Sequence, residues 1–364
     1  MPWMRRVEII VTSKKDATIQ RIFKDHRIDF EVRSTVGWPA DTANITLFNL
    51  SIEEVKFLQG KNYGDMYIEI RAGYDEDSRA GVSGGLNQHS TPNGSQPRIN
   101  IEKILPTVFS GIITNAIGFR RAPEHVTQLF CISKAYGVAT DFTQMKKIAP
   151  GTKLVDAIQS MCKDYGFGTV STYGVSSELM ETVLPRGRVF HDTFLVEMRE
   201  LLGEFNLLFT MTTGEIQIFP ETFGDKDAVN RMAQNRGKIT MDANSVIGNP
   251  VAGICTYTLS TFMNPAIQPG MIVDVSPLLG TELLANGFTA VSGQGIVLNT
   301  DQSVFRWAME DKYFIMEVVH HGSTHTLDFQ TTLSSIIGGN TMMGGREQVW
   351  QDMYANSGLA MESY

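Results

Sequence analysis

Residues 27–33 alternate without a break: Ile28, Phe30 and Val32 fall on one side, Arg27, Asp29, Glu31 and Arg33 on the other. Successive side chains of a strand point to opposite faces, so a period of two predicts a half-buried β-strand. The same signal recurs over 43–48 and 66–72. Between them, Ser51-Ile52-Glu53-Glu54 matches a capping box and predicts a short helix closing near Gly60. Residues 78–100 then lose all hydrophobic period and fill with Gly, Ser, Asn and Pro. They separate strands expected at 66–72 and 107–114, and they predict a long exposed loop, either mobile or ordered by a neighbour.

The pattern changes over about 142–222. Leu154, Ile158, Met161 and Tyr165 fall at helical spacing, with Gly166 as a plausible stop. Asp192 can cap a second helix whose apolar face is Leu195, Met198, Leu202 and Phe205. Segments 207–211 and 215–219 flank Thr212-Thr213-Gly214 as a hairpin would. This predicts a small mixed α/β domain. Strand patterns return at 239–241, 256–259, 271–275, 314–319 and 326–331. The end of the chain passes through Gly338-Gly339 and Gly344-Gly345 into 346–356, where Val349, Trp350, Met353 and Tyr354 share one helical face. A helix this short is unstable alone, so it is expected to dock on a partner.

The two strand-rich regions echo each other. Val36-Gly37-Trp38-Pro39 is matched by Ile247-Gly248-Asn249-Pro250, an apolar strand follows each, and the strands at 66–70 and 271–275 nearly coincide. Each region finishes with a strand pair, 109–114 with 126–132 and 314–319 with 326–331. The connectors differ: a capped helix in the first region, Asn264–Pro269 in the second. Either chance similarity of strands or a duplication fits this echo. A duplication implies two similar β-barrels around an α/β domain.

Composition narrows the function classes. The 364 residues are 42% hydrophobic and 19% charged, which suits two or three globular domains, and the 33 glycines suit a strand-rich chain with many reversals. Three cysteines (Cys131, Cys162, Cys255) without metal-type spacing imply no disulfide framework and fit a reducing cytoplasm. The apolar stretch near the N-terminus is short and holds Glu8, and no run approaches the ~20 apolar residues of a membrane helix, so a soluble product is expected. Net charge is −8 with no basic cluster, which argues against tight nucleic-acid binding.

Candidate chemistry is sparse. His320, His321 and His325 cluster, but neighbours on a strand face opposite ways, and a zinc site needs three or four converging ligands. Cys162 with His191 could be a thiol and its base, yet Cys162 falls on or beside an apolar helix face, which favours an inert thiol. Glu197, Glu200 and Glu204 align opposite the apolar face and read as a solvated or intersubunit surface. Gly338-Gly339 lacks the Lys-Ser/Thr of a phosphate loop. No catalytic, cofactor-binding or metal residue is predicted; the partner-binding candidates are Val349, Trp350, Met353 and Tyr354.

Several stretches together resemble a known family. Ala43-Asn-Ile-Thr-Leu-Phe-Asn-Leu-Ser51 is similar to an early strand ending in N-L-S. Glu69-Ile-Arg-Ala-Gly-Tyr74 followed by Phe109-Ser-Gly-Ile-Ile113 resembles an A-G-Y … F-x-G-x-I step. Ile247–Pro250, Met263-Asn-Pro-Ala-Ile-Gln-Pro-Gly270 and Val319-His-His-Gly-Ser323 complete the pattern over about 28–333. The family is the central hub of contractile phage baseplates, which shares its fold with the base of type VI secretion spikes. The loop 78–100 is longer than the pattern, and Phe329-Gln330 stands where a Trp is expected.

The resemblance implies an α+β, mainly β fold: two tail-tube-like β-barrel domains (1–140, with exposed loop 78–100, and 236–335), a small α/β domain between them (141–235) and a C-terminal docking tail (336–364). It further implies a structural, non-enzymatic virion protein, made and assembled in the host cytoplasm. This would be a homotrimer whose duplicated barrels let threefold symmetry imitate sixfold. Its partners would be a tail tube protein or tube-end adaptor above, the central spike below and baseplate wedge proteins around, with no membrane insertion. The surplus of acids would then repel DNA passing through the channel, unless it merely aids solubility. Two alternatives are a cell-wall hydrolase or peptidase on a hub scaffold, which needs a further domain, and a secretion-spike base, which normally continues into a β-helical needle.

Overall fold

A computed structural model describes residues 5–37, 40–60, 64–74, 105–134, 136, 145–165, 167, 169–212, 215–220, 231–232, 234–252, 256–278, 289–292, 295–298 and 312–337. The loop 78–100 and the tail with Val349, Trp350, Met353 and Tyr354 lie outside these residues.

The first region contains β1 (Arg5–Ser13), β2 (Gln20–Phe23), β3 (Ile28–Thr35), β4 (Thr42–Phe48), α1 (Ile52–Gln59), β5 (Met66–Tyr74), β6 (Thr107–Arg121) and β7 (Glu124–Ser133). The alternation of β3 is realised: Ile28, Phe30 and Val32 are buried, while Asp29, Glu31 and Arg33 stay at least partly exposed. The capping box also forms. The Glu54 amide donates to Ser51 Oγ (3.3 Å), and the Ser51 amide donates to Glu54 Oε2 (2.8 Å). Gly60 ends α1 at φ 60°.

The middle region holds β8 (Lys146–Ile148), α2 (Leu154–Asp164), β9 (Thr169–Thr172), α3 (Ser177–Met180), β10 (Arg188–Phe190), α4 (Phe194–Gly203), β11 (Leu207–Thr212) and β12 (Glu215–Pro220). The hairpin β11–β12 adds β9 in parallel, and the helices pack over it through Leu154, Ile158, Met161, Phe194, Met198 and Leu202.

The start of α4 corrects the sequence reading twice. Its N-cap is Thr193, not Asp192. Glu197 is only 4% exposed and does not join Glu200 and Glu204 on the surface. Its Oε1 accepts from the amides of His191 (2.8 Å) and Asp192 (3.0 Å), so a buried carboxylate satisfies backbone donors just before the helix.

The last region contributes β13 (Lys238–Thr240), β14 (Val246–Ala252), β15 (Thr256–Phe262), β16 (Ile272–Asp274), β17 (Thr289–Ser292), β18 (Gly295–Leu298), β19 (Lys312–Ser323) and β20 (Phe329–Ile337). Ile247–Pro250 lies inside β14, at an irregularity between Ile247 and Val251. The final strand begins at Phe329 instead of Thr326, because Ser323 organises a turn there. Its amide donates to the Asp328 carbonyl (2.7 Å), and its hydroxyl accepts from the His325 and Thr326 amides.

Thirteen strands form one sheet along β14-β15-β20-β19-β3-β4-β7-β6-β5-β1-β2, with β16 and β13 branching from β19. The order β3-β4-β7-β6-β5-β1 reappears as β14-β15-β20-β19-β16-β13. Registers agree as well. Tyr67 pairs with Ile112 as Ile272 pairs with Phe314, and a register shift follows in both long strands, between Ile113 and Asn115 and between Ile315 and Glu317. One detail differs: β1 is antiparallel to β5, whereas β13 is parallel to β16.

The two tracts join where β19 runs antiparallel to β3, from Glu317↔Thr35 to Ser323↔Asp29. Among the described residues the path stays open from β14 to β2, and no pairing closes either tract into a barrel. Separate apolar clusters sit under the first tract, in the middle region and under the second tract. A smaller one, containing Val36, Phe219, Met232, Ile272 and Phe314, lies where the three regions meet. There Gly270, at φ +86°, lets the chain approach Phe219 so closely that a Cβ would stand 2.4 Å from its ring.

Candidate functional site

Where β19 meets β3, the sheet has one apolar and one polar face. Cross-strand register arranges the polar face into rows. One row runs Gln330, His321, Glu31, Asn44, Phe130 and Asn115; the next runs Ser260, Thr332, Val319, Arg33, Thr42 and Ile132. Hydroxyl and amide side chains fill half of these positions, with His321, Glu31 and Arg33 at the seam and Phe130, Val319 and Ile132 among them.

Those charges are mutually engaged. Arg33 lies 3.4 Å from Glu317 and 3.8 Å from Glu31, and His321 Nδ1 lies 3.8 Å from Glu31. Ser323 donates to Asp29 at 2.6 Å. Arg27 bridges Asp29 (3.5 Å) and Glu124 (3.6 Å) while its guanidinium covers Phe48 at 4.1 Å. The four acids Asp29, Glu31, Glu124 and Glu317 outnumber the two arginines Arg27 and Arg33, so the seam is net acidic. Partly exposed pairs of this kind contribute up to about 1 kcal/mol each, so they set charge and orientation more than stability. Asp29, Glu31, Asn44, Thr46, Gln128 and His321 help line an open concavity of ≈ 590 Å³.

The histidines divide as strand geometry demands. His321 lies on the polar wall, whereas His320 is buried beneath it with Nδ1 2.9 Å from Thr331 Oγ1. Burial, helped by the neighbouring His321, pushes the His320 pKa down to about 4 and keeps the ring neutral. No group of three His, Cys, Asp or Glu side chains that could hold a metal occurs among the described residues.

The other sequence candidates are structural in their surroundings. Cys162 is buried in the α/β core and its thiol is pushed up to about 12, far from a thiolate nucleophile; burial raises Cys131 too. His191 lies near Glu197, at 3.8 Å. Glu200 and Glu204 both hold Arg188, at 3.2 and 2.6 Å. Asp41 stands apart. It is buried at the start of the β4 segment with one carboxylate oxygen lacking a hydrogen-bond partner, and desolvation lifts its pKa to about 7 despite a hydrogen bond from Ser34.

Sequence reasoning gave no surface role to the wall residues Asn44, Thr46, Gln128 and Gln330. Their available signal was the polar half of each strand's alternation, which the pairing register turns into a surface.

The fold is shared with phage tail proteins. A tail protein from Neisseria meningitidis is similar at a TM-score of 0.50 and 9% identity, over 93% of this chain and 98% of that one. A 43 kDa prophage tail protein from Shewanella oneidensis is similar at 0.53 and 6% identity, over 92% and 99%. An E. coli component of the type VI secretion system aligns over 90% of this chain and 76% of that one, with 9% identity. Its TM-score of 0.47 is below the level that supports a fold argument. No family model and no curated protein matches the sequence.

Proposed function

We propose that this chain is a structural subunit of a phage tail, the hub at the centre of a contractile baseplate. The observation that carries this reading is the repeated six-strand order, fused through β19 and β3 into one continuous polar wall. A subunit carrying two equivalent wall segments can match a sixfold tube above and a threefold spike below, since duplication lets a trimer present six similar units.

In this reading residues 1–140 and 236–335 are the two tube-like domains, closed into rings by neighbouring copies. Residues 141–235 form the α/β domain between them, and the 346–356 segment docks a neighbour through Val349, Trp350, Met353 and Tyr354. The polar wall faces the lumen. Its hydroxyls and amides offer passing DNA no cluster of cations, and the seam carboxylates repel phosphate, so the channel guides without gripping.

The test is the mass of the purified chain in solution, alone and with the central spike protein of the same tail. A trimer under at least one condition is expected. A monomer under both overturns the reading.

A further inference from the structure

The seam inside one chain specifies a seam between chains. β19 uses its first residues to pair with β16 (Lys312 to Phe314) and its later ones to pair with β3 (Glu317 to Ser323). Its counterpart β6 pairs with β5 only through Ile112 and the residues before it. Beyond the register shift, the edge of β6 facing away from β7 has no strand partner among the described residues, although the strand continues to Arg121. Ile117 and Phe119 on this stretch are 44% and 46% exposed.

β3 likewise has a counterpart. β14 pairs with β15 and ends the sheet path, and the β17–β18 hairpin lies near it without pairing to it. Thus, among the described residues, the strand equivalent to β19 and the strand equivalent to β3 each keep an edge without a paired strand, and the two edges are not paired to each other.

We propose that the outer half of β6 pairs antiparallel with β14 of a second copy, in the register that β19 takes with β3. The register follows from the rows. Phe119 sits as far beyond Asn115 as His321 does beyond Glu317. Val251 leads through Thr258 and Ser334 to Glu317, as Glu31 leads through Asn44 and Phe130 to Asn115. His321 faces Glu31 within the chain, so Phe119 faces Val251 between chains.

A polar pair at the internal seam is thereby replaced by an apolar one. This accounts for the exposed Phe119 and gives an unpaired edge the neighbour that edges require. The contact is head-to-tail, and repeating it makes a closed ring when the rotation between copies closes, as the proposed threefold arrangement requires. The inference rests on the ring-forming reading above and supplies its interface.

The test is a cysteine pair, Phe119→Cys with Val251→Cys, oxidised in whichever sample, alone or with the spike protein, exceeds monomer mass. Directly opposed strand residues lie within disulfide reach. A covalent ladder up to the full ring is expected from the double variant and from neither single variant. In parallel, Phe119→Asp, at a side chain exposed in the free chain, is expected to weaken association about tenfold, because it would bury a charge against Val251. Multimers that neither cross-link nor weaken overturn this pairing and leave the hub reading standing. Monomers throughout overturn both.

Discussion

Replacing Gly322 by alanine should destabilise the seam, and that cost should shrink when Phe30 is replaced as well. Gly322 is paired with Phe30 across β19 and β3. An added Cβ would stand 2.1 Å from Phe30 Cε1 and 2.3 Å from Cζ. Carbon atoms in contact prefer about 3.5–4.0 Å, so the ring or the strand must retreat by roughly 1.5 Å. The ring cannot easily do so: Phe30 is 5% exposed within the first apolar cluster. Overpacking of this sort costs about 1–3 kcal/mol.

Phe30→Leu removes the clashing ring atoms at a cost of about 1.5 kcal/mol in lost packing. The double variant should then be more stable than the sum of the singles predicts, by at least about 1 kcal/mol. Urea unfolding followed by circular dichroism reads all four corners of the cycle. Additivity within about 0.5 kcal/mol would show that the close approach does not constrain this seam.

Two buried groups should tilt stability in opposite directions with pH. Asp41, raised from 3.8 to about 7, contributes stability present below pH 3.8 and lost as pH rises through 7. His320, lowered from 6.5 to about 4, contributes stability present above pH 6.5 and lost as pH falls through 4. The shifts correspond to of order 4 and 3 kcal/mol respectively, so in the wild type they largely cancel. Asp41→Asn should therefore become more stable than wild type at pH 8 and lose stability as pH falls from 6.5 to 4, and His320→Gln should lose it as pH rises from 4 to 7; denaturation midpoints across this range that slope alike in both variants would contradict the assignment. Glu197→Ala should cost about 2–4 kcal/mol by leaving the His191 and Asp192 amides without their acceptor, with Glu197→Gln costing less. A change within 0.5 kcal/mol, measured by the same denaturation, would mean water replaces the carboxylate freely.

Local rules were legible in the sequence where the structure obeys them locally. The alternation around Phe30 and the Ser51–Glu54 box needed only neighbours in the chain, and both formed at the expected residues. Glu197 escaped because a helical wheel sees only charge. Its burial depends on two backbone amides preceding the helix, which no periodicity reports. The echo between the two halves was visible as similar strands, and the match of 66–70 with 271–275 keeps its register in the sheet, but the earlier match does not. Ile45 corresponds through the sheet to Leu259, three positions beyond the match the strings alone suggest. The polar wall depended on this missing information, since Asn44 and Gln330 are ordinary strand residues until pairing places them in one row.

The junction of β3 with β19 also sets a schedule for biosynthesis. Asp29 leaves the ribosome 294 residues ahead of its hydrogen-bond partner Ser323. At roughly 5–20 residues per second, the interval is about 15–60 s. Throughout it, one side of β3 lacks its eventual neighbour, in a cell where other nascent copies present the same strand. The charged half of its alternation, Asp29, Glu31 and Arg33, discourages premature pairing until the correct strand emerges.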